Sequence, residues 1–246
     1  MLQAIAAVVL ASGATMSAAP PRVQTGFLFR DLTMGEKRYP YVVYVPRNYE
    51  PSRKWPVIMF LHGAGECGSD GQKQVLQGIG SAILQDASRW PFIVVMPQKP
   101  EVRDAWEDHE AAVIAMLDAV IREYSVDTSR QYLTGLSQGG HGTWAIGARH
   151  ADRWAAIAPI CGYGDPEAIA PRLKDMPIWC FHGDADPAVP LAQSEKMVEA
   201  IKAAGGSPKL TVYPGIGHNS WDKAYREEPL GEWFLEHTKA QGPNKK

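Results

Sequence analysis

The chain has 246 residues, of which 45% are hydrophobic and 21% are charged, and its formal net charge is −2. This length suits one large α/β domain with a well-buried core. The nearly balanced charge argues against nucleic-acid binding and against a polybasic membrane-binding surface.

The first 19 residues differ from the rest of the chain. An apolar run from Ile5 to Leu10 is followed by small residues that end in Ser17-Ala18-Ala19. This pattern predicts a secretory signal peptide cleaved after Ala19, although no Lys or Arg precedes the apolar run. The run is too short to span a bilayer, which needs about 20 apolar residues. We therefore expect a secreted or periplasmic protein whose residues 20–246 form a single α/β domain without a membrane partner.

The mature sequence opens with a predicted hairpin. Strand-like runs from Phe27 to Met34 and from Arg38 to Val45 flank Gly35-Glu36, which is typical of an antiparallel pair. Short apolar runs follow, and each suits a strand buried on both faces. They are Pro56 to Leu61, Phe92 to Met96, Tyr132 to Thr134, Ala155 to Ile160, Ile178 to Phe181 and Leu210 to Tyr213.

Segments with helical spacing lie between these runs. They are Glu110 to Tyr124, Gly140 to Arg149, Ser194 to Ala204 and Ala224 to His237. Strands that alternate with helices after a hairpin predict an α/β fold with a mostly parallel, doubly wound sheet. The stretch from Gly162 to Met176 is too short for a large lid domain. Ligands of such sheets bind outside the carboxyl ends of the strands.

The motif Gly135-Leu136-Ser137-Gln138-Gly139 follows one predicted strand and precedes a helix. Strand, G-x-S-x-G and helix in this order indicate a nucleophile elbow, in which the serine hydroxyl is exposed at the edge of the sheet. A helix cap is the plainer interpretation of Ser137. The order of the downstream motifs favours the nucleophile.

A serine nucleophile needs a base and an orienting acid. His218 follows the last predicted strand in a glycine-containing loop and is the predicted base. Asp186 follows the penultimate strand and is the predicted acid. Asp184 lies in the same turn and is the alternative acid, or shapes the turn by binding backbone amides. Serine, acid and histidine in this order match the α/β-hydrolase arrangement.

The predicted oxyanion donors are backbone amides. One is the amide of Gln138, which follows the nucleophile, and the other is the amide of Ala64, with Gly63 and Gly65 as alternatives. Trp221 follows the predicted base closely and is the candidate wall of the substrate pocket, since an aromatic face suits an aromatic acyl group or a sugar ring.

The sequence contains three cysteines. Cys161 and Cys180 belong to apolar strand regions and are either small buried side chains or a disulfide between neighbouring strands. Cys67 lies in a glycine-rich loop and is expected to be unpaired. None of the three has C-x-x-C or histidine-rich company, so the sequence predicts no metal site.

Four motifs resemble the α/β-hydrolase superfamily. They are Leu61-His62-Gly63-Ala64-Gly65-Glu66, Gly135-Leu136-Ser137-Gln138-Gly139-Gly140, His182-Gly183-Asp184-Ala185-Asp186 with Val189-Pro190, and Gly217-His218-Asn219-Ser220-Trp221. More narrowly, the chain resembles the secreted predicted-peptidase or polyhydroxybutyrate-depolymerase-like esterases, a group with feruloyl and acetylxylan esterase members. In that group the matching positions are the oxyanion loop, the nucleophile, the acid (Asp186) and the base. Members often carry arginine where this chain has Cys67.

The resemblance implies a serine esterase that needs neither a metal nor an organic cofactor. Its expected substrates are small-molecule or polysaccharide-linked esters, with feruloyl and acetyl esters of plant polysaccharides as the leading class. One alternative is a serine peptidase on the same fold, because the same constellation cleaves amides. The other is a non-catalytic binding module that has kept the hydrolase fold.

Overall fold

A computed structural model describes residues 23–239, so the predicted signal peptide at residues 1–19 lies outside the described residues. The strands, numbered in chain order, are β1 (Gly26–Met34), β2 (Lys37–Val45), β3 (Trp55–Leu61), β4 (Ile93–Pro97), β5 (Val126–Leu136), β6 (Ala156–Ile160), β7 (Trp179–Gly183) and β8 (Lys209–Tyr213). The helices are α1 (Gly78–Gln85), α2 (Glu110–Glu123), α3 (Gln138–Arg149), α4 (Pro166–Leu173), α5 (Ala192–Ala203), α6 (Trp221–Arg226) and α7 (Leu230–Leu235).

All eight strands form one sheet in the order β1-β2-β4-β3-β5-β6-β7-β8. β1 pairs with β2 and β2 with β4 in antiparallel fashion, and every other pair is parallel. The predicted α/β fold, with a mostly parallel sheet and an N-terminal antiparallel hairpin, is therefore confirmed. The parallel strands β3 to β8 all end at the same edge of the sheet, where the predicted site motifs lie.

The sheet is buried on both faces. Alternate residues of β3 belong to different apolar clusters: Val57 and Met59 to one, Ile58 and Phe60 to the other. Helices α2 to α5 cover the first face, and α1, α6 and α7 cover the second. This arrangement explains why the central strands appear in the sequence as continuous apolar runs.

Helix prediction was less accurate than strand prediction. The single helix predicted from Ala224 to His237 is wrong: Pro229 separates α6 from α7, because proline lacks an amide hydrogen and clashes with the preceding turn. Two helices were not predicted. α1 contains Gly78 and Gly80, and α4 contains Pro171, so both have weak helical signatures.

The three cysteines are buried free thiols, so Cys161 and Cys180 do not form the bridge that the sequence left open. Between residues 23 and 239, we find no helix with both the length and the apolar character required to cross a membrane.

Candidate active site

Ser137 stands in the sharp turn between β5 and α3. Its backbone adopts φ 55° and ψ −117°, a conformation that costs a non-glycine residue roughly 1–3 kcal/mol. The Ser137 amide donates a hydrogen bond to the Ile160 carbonyl of β6 at 3.0 Å, which ties the turn to the neighbouring strand. The turn therefore has the geometry of a nucleophile elbow at the carboxyl edge of the sheet.

Close backbone packing explains the glycines on either side of Ser137. A β-carbon added to Gly139 would lie 1.9 Å from the Leu61 carbonyl oxygen, and one added to Gly135 would lie 2.4 Å from the Gly139 carbonyl oxygen. Real β-carbons do not approach oxygen so closely, and thus only glycine allows the elbow to pack against the end of β3. The spacing of G-x-S-x-G is a packing requirement.

His218, in the loop after β8, contacts both other residues of the predicted triad. Its Nε2 lies 2.9 Å from Ser137 Oγ, and its Nδ1 lies 2.7 Å from Asp186 Oδ2. Because an ionised carboxylate only accepts hydrogen bonds, Nδ1 carries a proton and Nε2 is free to accept the serine proton. The structure thus brings Ser137, His218 and Asp186 into one hydrogen-bonded chain.

Asp186 is buried and fully bonded. Its Oδ1 accepts hydrogen bonds from the amides of Ala188 and Val189, each at 2.9 Å, and its Oδ2 faces His218. Burial raises the pKa of Asp186, but the hydrogen bonds from His218 and the two amides outweigh burial and hold the pKa below its ordinary value. Asp186 is therefore an ionised acceptor at neutral pH.

Asp184, the alternative acid, has a different partner. Its Oδ1 accepts a hydrogen bond from the Gly215 amide at 2.7 Å, and its own amide donates to the Tyr213 carbonyl at 3.2 Å. These bonds join the end of β7 to the loop that carries His218. Asp184 occupies the turn-shaping position, and only Asp186 contacts the imidazole.

The loop after β3 lies beside the elbow, as predicted for an oxyanion loop. A β-carbon added to Gly63 would lie 3.4 Å from Ser137 Cβ. The Gly63 amide already donates to Glu66 Oε2 at 3.0 Å, which removes Gly63 as a candidate donor. Ala64 stays the predicted donor from this loop. Gln138 is the first residue of α3, so its amide belongs to the amino terminus of that helix.

His62 was not predicted as a site residue, yet it fixes the shape of the oxyanion loop. The ring is fully buried, with Nδ1 2.6 Å from the Gly63 carbonyl and Nε2 accepting the Lys99 amide at 2.8 Å. Burial lowers the pKa of His62 to about 4, so the ring is neutral with its proton on Nδ1. His62 therefore couples the backbone after β3 to the backbone after β4.

The segment after β4 was also missed. The Gln98 side chain donates to the Glu66 carbonyl at 2.9 Å and accepts the Gly71 amide at 2.6 Å, which braces the oxyanion loop. The Gln138 side chain donates to the Val102 carbonyl at 3.0 Å. Polar residues directly after a buried strand are the sequence signal for this segment, but their partners depend on β4 lying beside β3.

The aromatic side chains of the segments around the predicted site differ in burial. Trp106 and Trp144 are only 1% and 0% exposed, so both belong to the core, and Trp106 is not a pocket wall. Trp221 is partly buried and meets the His218 ring edge-on with ring centroids 5.3 Å apart. Tyr163 is 38% exposed and stacks on His141 at 4.6 Å. Trp221 therefore lies beside the predicted base, and its role as a wall of the substrate pocket stays a prediction.

A cleft of about 430 Å³ opens between α3 and α4. Its lining includes His141, one turn beyond Ser137 in α3, together with Glu107, Arg149, Asp165 and Arg172. No triad residue lines this cleft. Its size alone therefore does not make it the reaction site.

Among the described residues, one group of side chains has the spacing of a metal site. The ligand atoms of Cys161, Asp186 and His218 lie within 4.8 Å of one another. However, Asp186 and His218 already bond to each other, and burial raises the pKa of the Cys161 thiol to about 12. A protonated thiol and two engaged side chains make a poor donor set, so we assign the cluster to the triad.

Comparison with known proteins identifies the family. A model of the putative esterase family matches residues 33–241. A putative carboxymethylenebutenolidase of Methylorubrum extorquens is 31% identical over 153 residues, which cover 52% of this chain and 52% of the relative. A bifunctional acetylxylan esterase/xylanase of Neocallimastix patriciarum is 29% identical over 212 residues, which cover 81% of this chain and 30% of the relative.

A solved structure gives the same result. The crystal structure of a thermostable esterase is 33% identical, with a TM-score of 0.79 over 87% of this chain and 63% of that chain. The chain spans about half or less of the length of the two curated relatives described above. The family match covers most of the chain, including Ser137, Asp186 and His218. The chain therefore belongs to the putative esterase family and has the α/β-hydrolase fold of its esterase relatives.

Proposed function

We propose that this protein is a serine carboxylic-ester hydrolase in which Ser137 is the nucleophile, His218 the base and Asp186 the acid. One observation carries the proposal: the hydrogen-bonded chain from Ser137 Oγ through His218 to Asp186 Oδ2, with steps of 2.9 and 2.7 Å. Membership of the putative esterase family supports an ester as the substrate.

The first half of the reaction forms an acyl-enzyme. Ser137 Oγ attacks the ester carbonyl carbon while His218 Nε2 takes the hydroxyl proton, and Asp186 stabilises the resulting imidazolium. The amides of Gln138 and Ala64 donate to the oxyanion of the tetrahedral intermediate. Collapse of this intermediate breaks the bond to the alcohol, which leaves with the proton from His218.

The second half releases the acid. His218 removes a proton from a water molecule, and the hydroxide attacks the acyl carbon bound to Ser137. A second tetrahedral intermediate collapses, and the serine oxygen recovers its proton from His218. None of these steps needs a metal or an organic cofactor.

The proposed substrates are small-molecule or polysaccharide-linked esters, with acetyl and feruloyl esters of plant polysaccharides as the leading class. Trp221 supports an aromatic or sugar-binding wall, because its ring lies beside the base. The likeness to an acetylxylan esterase supports the acetyl group. Export of the enzyme, with cleavage after Ala19, would place it where such polymers occur. N-terminal sequencing of the exported protein should then begin at Pro20.

The test is a matched panel of substrates: p-nitrophenyl acetate, methyl ferulate, acetylated xylan and a peptide p-nitroanilide. Each is incubated with the wild-type protein, with Ser137→Ala and with Ser52→Ala, an exposed serine that serves as the control. The proposal is supported if wild type and Ser52→Ala hydrolyse the esters but not the amide, and Ser137→Ala hydrolyses neither. Comparable cleavage of the amide would indicate a peptidase, and no turnover at all would indicate a binding module.

A further inference from the structure

His182 is a second histidine against the predicted acid. It lies near the carboxyl end of β7 and is fully buried. Its Nε2 is 2.8 Å from the Val189 carbonyl oxygen and 3.3 Å from Asp186 Oδ2, and its Nδ1 is 2.7 Å from Ser194 Oγ. Both oxygens near Nε2 belong to the turn that holds the acid.

The partners of His182 determine where its proton lies. A carbonyl oxygen and an ionised carboxylate can only accept, so Nε2 carries the proton and donates it to Val189. Ser194 Oγ is much closer to Nδ1 (2.7 Å) than to the Gly162 carbonyl (3.4 Å), so its hydroxyl donates to Nδ1. In this arrangement His182 donates from Nε2 and accepts at Nδ1, and Ser194 sets its tautomer.

Hydrogen bonds through Val189 connect the His182 imidazole to the Asp186 carboxylate. Val189 accepts from His182 through its carbonyl and donates to Asp186 Oδ1 through its amide. His182 Nε2 also lies 3.3 Å from Oδ2, the oxygen that His218 binds. We propose that His182 is a positioning residue that holds the Asp186 carboxylate in the orientation His218 needs. The kinetic test of this role requires turnover and so rests on the proposed function.

Apart from Asp186, three titratable groups lie near these hydrogen-bonded residues. They are His218 from the loop after β8, Cys161 at the end of β6 and Cys180 within β7. Burial raises the pKa of each thiol to about 12, so both are neutral in the working range. Asp186 therefore provides the fixed negative charge at this point. Without the His182 N–H the carboxylate should be held less firmly, so that the Asp186–His218 hydrogen bond weakens and stabilises the protonated imidazole less.

The test compares His182→Met with His182→Gln in the full-length chain. Met keeps much of the volume and has no donor, whereas Gln can place an N–H where His182 Nε2–H lies. With turnover counted per active site by burst titration, we expect His182→Met to lower kcat about 10-fold or more with little change in KM. The acid limb of kcat/KM should move to lower pH, and His182→Gln should restore most of both.

The control is His150→Met, at a histidine directly after α3 that pairs with Glu110 of α2 (2.6 Å) and should leave the pH profile unchanged. If His182→Met fails to fold, Ser194→Ala takes its place, because it keeps the His182 imidazole but removes the hydroxyl that sets its tautomer. The same changes in kcat and in the pH profile are then expected, at smaller size. A wild-type kcat and pH profile in either folded variant, or failure of Gln to rescue, would overturn the proposal.

An NMR measurement separates this proposal from the proposed function. In ¹⁵N-histidine-labelled protein, His182 should be protonated on Nε2 only, and the His218 Nδ1–H resonance should move upfield in His182→Met. Neither observation depends on turnover. An unchanged His218 resonance would overturn the role of His182, even in a protein that hydrolyses esters. The expected shift in a protein without esterase activity would overturn only the proposed reaction.

Discussion

The oxyanion side and the acid side of the site each contain a fully buried histidine close to the carboxyl end of a strand, but the two rings have different partners. The His62 imidazole bonds only to backbone groups, the Gly63 carbonyl and the Lys99 amide. His182 bonds to the turn that holds a charged side chain. Two equally buried histidines therefore have different roles: His62 stabilises the shape of a backbone loop, and His182 orients the Asp186 carboxylate.

This difference predicts how each side responds to mutation. The proposed oxyanion donors are backbone amides, so changes there act by displacing a loop and should appear first as lost stability. On the acid side, the groups that move or bear charge are side chains. Changes there should appear first as lost turnover with the fold intact.

The largest effect is expected at the reacting side chains themselves. Ser137→Ala and His218→Ala should each lower kcat for p-nitrophenyl acetate by about 10⁴-fold or more, because either change removes the attacking group or its base. Steady-state kinetics beside thermal unfolding provide the measurement, with Ser52→Ala as the control. An Ala variant at either position with more than a tenth of wild-type turnover would refute its assigned role.

The next prediction ranks the two aspartates within one turn. Asp186→Asn should lower kcat by about 10³- to 10⁴-fold, because an amide cannot hold the His218 tautomer as a carboxylate does. Asp184→Asn should cost at most about 10-fold, since its amide oxygen can still accept the Gly215 N–H. Both variants are compared by kcat/KM on one ester. The reverse order would make Asp184 the acid.

The oxyanion side predicts an effect on stability that depends on pH. The folded pKa of His62 is about 4, below its ordinary value of 6.5. Below pH 6.5 the unfolded chain binds a proton that the folded ring does not, so stability from this residue is complete above pH 6.5 and is lost by about pH 4. The difference in pKa corresponds to about 3 kcal/mol.

Urea unfolding at pH 7, 5.5 and 4 measures this loss. In His62→Gln the neutral side chain removes the titration, so its unfolding free energy should change less with pH than that of wild type by up to about 3 kcal/mol. If the unfolding free energies of the two proteins change equally with pH, His62 is not the source of this pH dependence.

The smallest prediction concerns backbone strain at the elbow. Ser137 has a positive φ, which glycine adopts without penalty and alanine does not. Ser137→Gly should therefore be more stable than Ser137→Ala by about 1 kcal/mol, even after the greater chain entropy of glycine is included. Chemical denaturation of the two inactive variants gives this difference directly. A more stable alanine variant would show that the elbow is relaxed.

The fold was largely predictable because its signals are local. Buried strands such as β3 and β6 are short apolar runs, and the alternation of strands with helices sets the class. The errors fell at glycine and proline: the glycines of α1 weaken its helical signal, and the break that Pro229 makes before α7 was overlooked. In α1, packing against the sheet overrides weak helical propensity.

The predicted site residues came from motifs, and the parts that were missed depend on spatial neighbours. Ser137, Asp186 and His218 each follow a strand, and parallel strands bring such positions to one edge of the sheet. The role of His62 requires β4 to lie beside β3, although these strands are far apart in the chain. The position of His182 against Asp186 depends on how a tight turn folds back on its strand, which spacing alone does not specify.

Covalent labelling with a fluorophosphonate, followed by peptide mapping, tests the central claim most directly, because the probe reacts with an activated serine and needs no knowledge of the substrate. We predict a single adduct on Ser137 in the folded wild-type protein, no adduct in Ser137→Ala and much slower labelling in His218→Ala. No adduct on the folded wild-type protein, or equal labelling of Ser137→Ala, would contradict the assignment of Ser137 as the nucleophile.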